Sequence, residues 1–367
     1  MHTGTIRFSR NDSAKFFKTL NKRVNDYFKD NNIKKTGDWR LYLKTTIMFV
    51  LLVAPYILIL TLSLPNWANL LLTLVIGVGM AGVGMNVMHD GNHGSYSTKN
   101  WINKIMGGSI YILAGNVYNW QVQHNVLHHT YTNIQGHDED LDAGRILRFS
   151  EHTKWKKHHK FQHIYSILLY GLLTFNWVLT TDFKQMSRYM KRKLSYGEFP
   201  NPLFNWSRMI IFKIIYLSIW VVVPLLVLDI AWWQLLIGFF SMHYVAGVIL
   251  SVVFQLAHVI NEAETPLPDN QGNMKNTWAI HQLFTTVNFG NKSKIVNWFT
   301  GGLNHQVEHH IFPNISHVHY TKIGEIVKAT AKEFNLPYNE YKTTRKAIIS
   351  HFKHLRDLGK QPELQYQ

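Results

Sequence analysis

The stretch Gly301-Gly302-Leu303-Asn304-His305-Gln306-Val307-Glu308-His309-His310-Ile311-Phe312-Pro313 packs three histidines, a glutamine and a glutamate between two glycines and a proline. On a helix, side chains at i, i+3 and i+4 share a face, so Gln306, His309 and His310 project together, and His305 with His309 satisfies the same spacing. Two earlier stretches repeat the pattern: His89 and His93 in HDGNH, and His124, His128 and His129 in HNVLHH. A chain with 21 histidines produces single HxxxH pairs by chance. Three clusters in order, two of them ending in His-His, point instead to a metal centre.

Apolar residues make up 46% of the 367, enough for a large buried structure, and they come in long uncharged runs separated by basic polar segments. The formal charge of +16 follows from lysines and arginines beside those runs. That placement fits anionic lipid headgroups and no nucleic-acid module, so a nucleic-acid partner is not expected. The absence of cysteine excludes disulfides, thiolate ligands and an iron–sulfur cluster held by this chain.

Residues 1–44 carry eleven Lys or Arg without an apolar core and read as a cytoplasmic N-terminal tail. Four spans follow at about 45–64, 68–88, 209–228 and 234–257, each long enough to cross a hydrocarbon core of ~30 Å. They form two hairpins, and the turns carry Trp67 in one and Trp232 and Trp233 in the other, as interfacial residues do. No Lys or Arg occurs in 45–98 or 214–274, which by the positive-inside rule puts both turns outside and both termini inside. The uncharged run Ile164–Thr181 has basic clusters on both flanks and is expected to lie in the interface. Lys213 is expected to snorkel at a span end. Residues 152–163, rich in His and Lys, read as a basic membrane-facing surface. Gly77, Gly79 and Gly82 match GxGxxG but lack the strand and acidic partner of a nucleotide site; Gly77 and Ala81 fit close helix approach instead.

The fold class is therefore an all-α integral membrane protein of four spans with a cytoplasmic helical domain carrying the histidine clusters. The three clusters hold seven imidazoles (His89, His93, His124, His128, His129, His309, His310), and His258 would make eight, twice what one tetrahedral site takes, which implies two metals. Imidazole suits zinc, copper, iron or nickel alike. Asp138 and Asp140 in GHDED, and Asp90 beside His89, are placed to accept the other N–H of ligating rings. His243 falls in mid-span, where a neutral imidazole serves as a hydrogen-bonding partner between helices.

HxxxH, HxxxHH and QxxHH in this order resemble the membrane fatty-acid desaturases, and the Gln-type third cluster with Phe312-Pro313 after it is similar to front-end, Δ5/Δ6-like acyl desaturases of bacterial and cyanobacterial type. The likeness divides the chain into a desaturase domain, 45–320, between the N-terminal tail and a C-terminal tail, 321–367. It implies two iron ions, dioxygen as co-substrate, a fatty-acyl substrate carried on lipid, CoA or carrier protein, and a cis double bond as product. It also makes His258, in FQLAH at the end of the last span, a ligand, where a lone histidine is otherwise structural. Helix geometry admits either His305 or Gln306 in the third cluster; the resemblance favours Gln306. With no haem-binding HPGG and no flavin fingerprint, electrons are expected from an external carrier such as ferredoxin or cytochrome b5. The resemblance and the charge pattern give a bacterial inner-membrane protein with its site on the cytoplasmic side. A membrane hydroxylase, a carotenoid ketolase and a His-rich metal transporter are the competing readings.

Overall fold

The computed structural model describes residues 6–10, 15–141, 144, 146–197 and 201–360. The principal helices in chain order are α1 (Phe16–Asp30), α2 (Trp39–Thr61), α3 (Asn66–Asn92), α4 (Pro202–Val227), α5 (Trp232–His258), α6 (Trp278–Thr285), α7 (Gln306–Ile311), α8 (Tyr320–Glu333) and α9 (Thr344–Lys360). The chain divides into two compact units, one of 38–122 with 167–252, the other of 1–37, 123–166 and 253–367.

The first unit holds the helices long and apolar enough to cross a membrane. They are α2, α3, α4 and α5, with mean hydropathies of 2.2, 2.0, 2.5 and 2.0. At 1.5 Å per residue, the 27 residues of α3 reach about 40 Å. Asp38 starts α2 by accepting the N–H of Arg40 at 2.9 Å. The helix that carries the first apolar run therefore begins at Trp39, and Lys44 is buried on it. Glycine lets the hairpins close: a Cβ on Gly77 would meet the Met242 carbonyl oxygen of α5 at 2.5 Å, and one on Gly79 the Leu52 nitrogen of α2 at 2.7 Å. The helix pair Lys157–Tyr170 and Leu173–Lys191 bends by 68° at its break, as a broken span or a re-entrant segment does.

Two mid-span polar residues resolve differently. His243 hydrogen-bonds Tyr216 Oη at 2.6 Å and Thr174 Oγ1 at 2.9 Å, the inter-helix role its position implied. Lys213 does not snorkel. Its ammonium turns inward to Asp182 at 2.6 Å and donates to the carbonyls of Ala114 and Trp177 at 2.6 and 2.5 Å. A buried carboxylate and two carbonyls satisfy all three of its donors, so the side chain has no reason to reach for water.

The second unit is a helical core built by the termini. Phe16, Leu20, Val24 and Phe28, spaced by four, form one buried stripe of α1 and pack with Ile323, Val327 and Ala331 of α8, Leu283 of α6 and Val307 of α7. Residues 1–44 and 321–367 were expected as tails; α1, α8 and α9 instead fold into this unit because each carries such an apolar stripe. The 152–163 region is likewise only partly a surface. Arg148 is fully buried and donates to the Glu151, Thr153 and Leu358 carbonyls, each at 2.7 Å. Gln162 and Trp155 donate to Leu355 and Gly359, so the end carbonyls of α9 find their partners here. Lys157, His158 and Lys160 stay exposed while His159 is buried. A two-residue parallel pairing, Asn288–Phe289 with Glu340–Tyr341, completes the unit.

Candidate metal centre

In the first unit, α3 leaves α-helical geometry at Gly84–Met88, a π-helical turn, and then delivers His89 and His93 on its last turn. The two rings lie 4.7 Å apart between centroids and each meets the edge of Trp120 at 5.7 Å. Both are buried. Asp90 stands 3.9 Å from His89 Nδ1, too far for a hydrogen bond.

In the second unit, the HNVLHH cluster also sits on a π-helical segment, Gln121–His128. This changes which residues meet. With i→i+5 closure, residues five apart come into register, and His124 Nε2 lies 3.2 Å from His129 Nε2. His124 and His128, four apart, stack instead at 5.3 Å. His124 and His128 also offer ligand atoms, with Asp140, that fall within 4.8 Å of one another, so all three histidines of the cluster stay together. The HxxxH spacing alone does not distinguish this wide turn from an α-helical one.

Helix α7 presents the third cluster to the second. His309 Nε2 lies 3.0 Å from His129 Nε2, and His310 Nε2 lies 3.2 Å from His128 Nε2. His128, His258 and His310 form one buried group whose ligand nitrogens all fall within 4.8 Å. Metal–imidazole bonds of roughly 2.0–2.1 Å at tetrahedral to octahedral angles place neighbouring ligand nitrogens roughly 2.8–3.4 Å apart, so these separations fit shared metal ions. The buried Nε2 of His258 has the Gln306 side chain beside it and makes no well-formed hydrogen bond, which leaves it open to an ion.

The opposite ring nitrogens are held. Asp138 Oδ2 lies 3.0 Å from His128 Nδ1, and the carboxylate is itself fixed by the N–H groups of Asn133 and Asp140. Asp140 Oδ2 is 3.4 Å from the same nitrogen and Gln123 donates to its other oxygen. Burial pushes the Asp140 carboxyl up to about 7, against the pull of His128. Burial lowers His128, but the two carboxylates outweigh it and leave the imidazole raised, so a metal at Nε2 displaces a proton. His258 Nδ1 faces the Thr285 carbonyl at 3.4 Å and His309 Nδ1 faces Tyr320 Oη at 3.2 Å. His310 Nδ1 meets Gln282 Oε1 at 3.0 Å.

His305 does not share the helix of its neighbours. It is the residue before α7, with φ −106° and ψ 59°, and its Nδ1 points toward Glu308 at 3.6 Å. Gln306 opens the helix and its side chain lies next to His258. Tyr320, Thr285 and Gln282 escaped the sequence reading, since none belongs to a histidine cluster. The segment HQLFTT of α6, with its glutamine and threonines turned into a fully buried core, was the available signal.

Comparison with known proteins agrees with this chemistry. The sequence model of the Fatty acid desaturase family matches residues 65–342. The sn-1 linoleoyl-lipid 6-desaturase of Arthrospira platensis is 34% identical over 364 residues, 99% of this chain and 98% of that protein. The sn-1 linoleoyl-lipid 6-desaturase of Synechocystis sp. is 33% identical over 94% of this chain and 96% of that protein. The acyl-lipid (8-3)-desaturase of Physcomitrium patens is 32% identical over 97% of this chain and 74% of that protein. With buried histidine clusters and four helices apolar enough to cross a membrane, the chain belongs to the fatty acid desaturase family and is an oxidoreductase that desaturates fatty acyl chains.

Proposed function

We propose that this enzyme is a front-end acyl-lipid desaturase that places a cis double bond at carbon 6 of a linoleoyl chain esterified in a membrane glycerolipid. The observation that carries the metal part is the convergence of imidazole Nε2 atoms at 3.0–3.2 Å. The acyl-lipid substrate and the position rest on the names of the cyanobacterial relatives.

In this reading His89, His93, His124, His128, His129, His258, His309 and His310 would hold two iron ions, with the Gln306 side chain beside His258. Two irons supply the oxidising power to remove one hydrogen from each of two adjacent methylenes while dioxygen, two electrons and two protons become water. The protein does the rest. Asp138 accepts the Nδ1 proton of His128 and keeps Nε2 aimed inward. Near-complete burial of the rings excludes water that would compete for the oxidant. The electrons come from an external carrier such as ferredoxin or cytochrome b5, and the site faces the cytoplasm from a bacterial inner membrane, as the lack of Lys and Arg in 45–98 and 214–274 supports.

The test is the fatty-acid profile, resolved by lipid class, of a host that makes linoleoyl lipids and expresses this chain. A new double bond at carbon 6 in the glycerolipid fraction is expected. A hydroxylated product, or an unchanged profile from folded, iron-loaded protein supplied with a carrier, overturns the reading.

A further inference from the structure

Helix α6 lies outside the histidine clusters, yet one of its side chains touches two of them. The carbonyl of His129 receives Trp278 Nε1 at 2.9 Å and the side chain of Gln282 at 3.3 Å. A backbone carbonyl only accepts, so the group that Gln282 turns to it is the NH2. That fixes the amide, and its oxygen is the atom 3.0 Å from His310 Nδ1 and 2.9 Å from Thr132 Oγ1.

An amide oxygen also only accepts, so His310 donates from Nδ1 and carries its lone pair on Nε2. The Thr132 hydroxyl, 2.7 Å from the His128 carbonyl and 3.2 Å from His310 Nδ1, fits the same assignment whichever oxygen takes its single proton. Across the cluster, the Asp138 carboxylate fixes His128 in the same tautomer. The two Nε2 atoms then face each other at 3.2 Å, a separation that a shared proton fills in the metal-free chain and that a metal ion takes over when it displaces that proton.

We propose that Gln282 is a positioning residue that couples the second histidine cluster to the third, reading the His129 carbonyl with its NH2 and setting the tautomer of His310 with its oxygen. The inference rests on the two-metal reading above. It adds a residue that touches no substrate and belongs to no histidine cluster.

Cobalt(II) titration of the metal-free full chain in detergent tests it, with affinity and the cobalt absorption bands as readouts and thermal unfolding of the metal-free protein as the control for folding. Gln282→Met keeps the bulk and removes both polar contacts; it is expected to weaken cobalt binding about 10–100-fold and to shift the bands. Gln282→Glu keeps the acceptor on His310 but gives up the NH2 that meets the His129 carbonyl, and is expected to weaken cobalt binding less than Met does, by under about tenfold. A Met variant that folds and titrates like wild type overturns the role of Gln282 while leaving the metal reading intact. Should the Met variant fail to fold, the Glu variant decides: a tenfold loss overturns the assignment. A wild-type chain that takes up no cobalt overturns the metal reading and this inference with it.

Discussion

Nδ1 of His128 and Oδ2 of Asp138 lie 3.0 Å apart, both fully buried, ten residues apart on the segment that carries the second histidine cluster. This carboxylate orients a ring whose other nitrogen meets His310. Asp138→Asn removes the charge and is expected to weaken metal binding about 10–100-fold. Asp90→Asn, whose carboxylate stands 3.9 Å from His89 Nδ1, is expected to cost less. Metal titration of both variants checks the ranking, and an equal or inverted order contradicts it.

The residue opening the third cluster is tested by substitution. His305 sits outside α7 and faces Glu308, whereas Gln306 begins the helix beside His258. His305→Phe is expected to keep substantial desaturation and Gln306→Ala to lose most of it, measured as product double bonds per folded, iron-loaded chain. The reverse ranking transfers the role to His305.

The buried pair of Lys213 and Asp182 predicts a specific pattern of stability. Lys213→Met leaves a buried carboxylate uncompensated and is expected to cost about 3–5 kcal/mol. Lys213→Met combined with Asp182→Leu removes both charges and is expected to recover much of that loss. Thermal unfolding in detergent reads both, and a double variant as unstable as the single one contradicts the account.

His351 gives a pH dependence. Burial lowers its imidazole from 6.5 to about 4, against the Val259 carbonyl that its Nδ1 meets at 2.6 Å. The folded value lies below the unfolded one, so the neutral ring's contribution is complete above 6.5 and is lost as pH falls toward and through about 4. The unfolding temperature should fall between pH 7 and pH 5, and His351→Gln should flatten that slope. An unchanged slope in the variant contradicts the assignment.

The spans and the histidine clusters were legible because each is a local signal: an uncharged run, or imidazoles within five residues of each other. What stayed hidden depends on partners distant in sequence. Lys213 looked like a snorkelling residue because Asp182 lies 31 positions earlier, just past the run read as interfacial. The contact between His124 and His129 was not read because α-helical spacing brings i to i+3 and i+4, whereas this segment is π-helical and brings residues five apart together. The stripe of Phe16, Leu20, Val24 and Phe28 was present in the sequence but obscured by the lysines and arginines between its members. Gln282 sits 24 residues before Gln306 in an ordinary apolar helix, and only its hydrogen bonds reveal it.

The central claim is that these imidazoles hold two metal ions that the desaturation requires. Elemental analysis of anaerobically iron-loaded protein, on the same preparation assayed for product double bonds, tests it most directly. Two irons per folded chain in an active preparation is the expected result; a fully active preparation holding one iron or none would contradict the account.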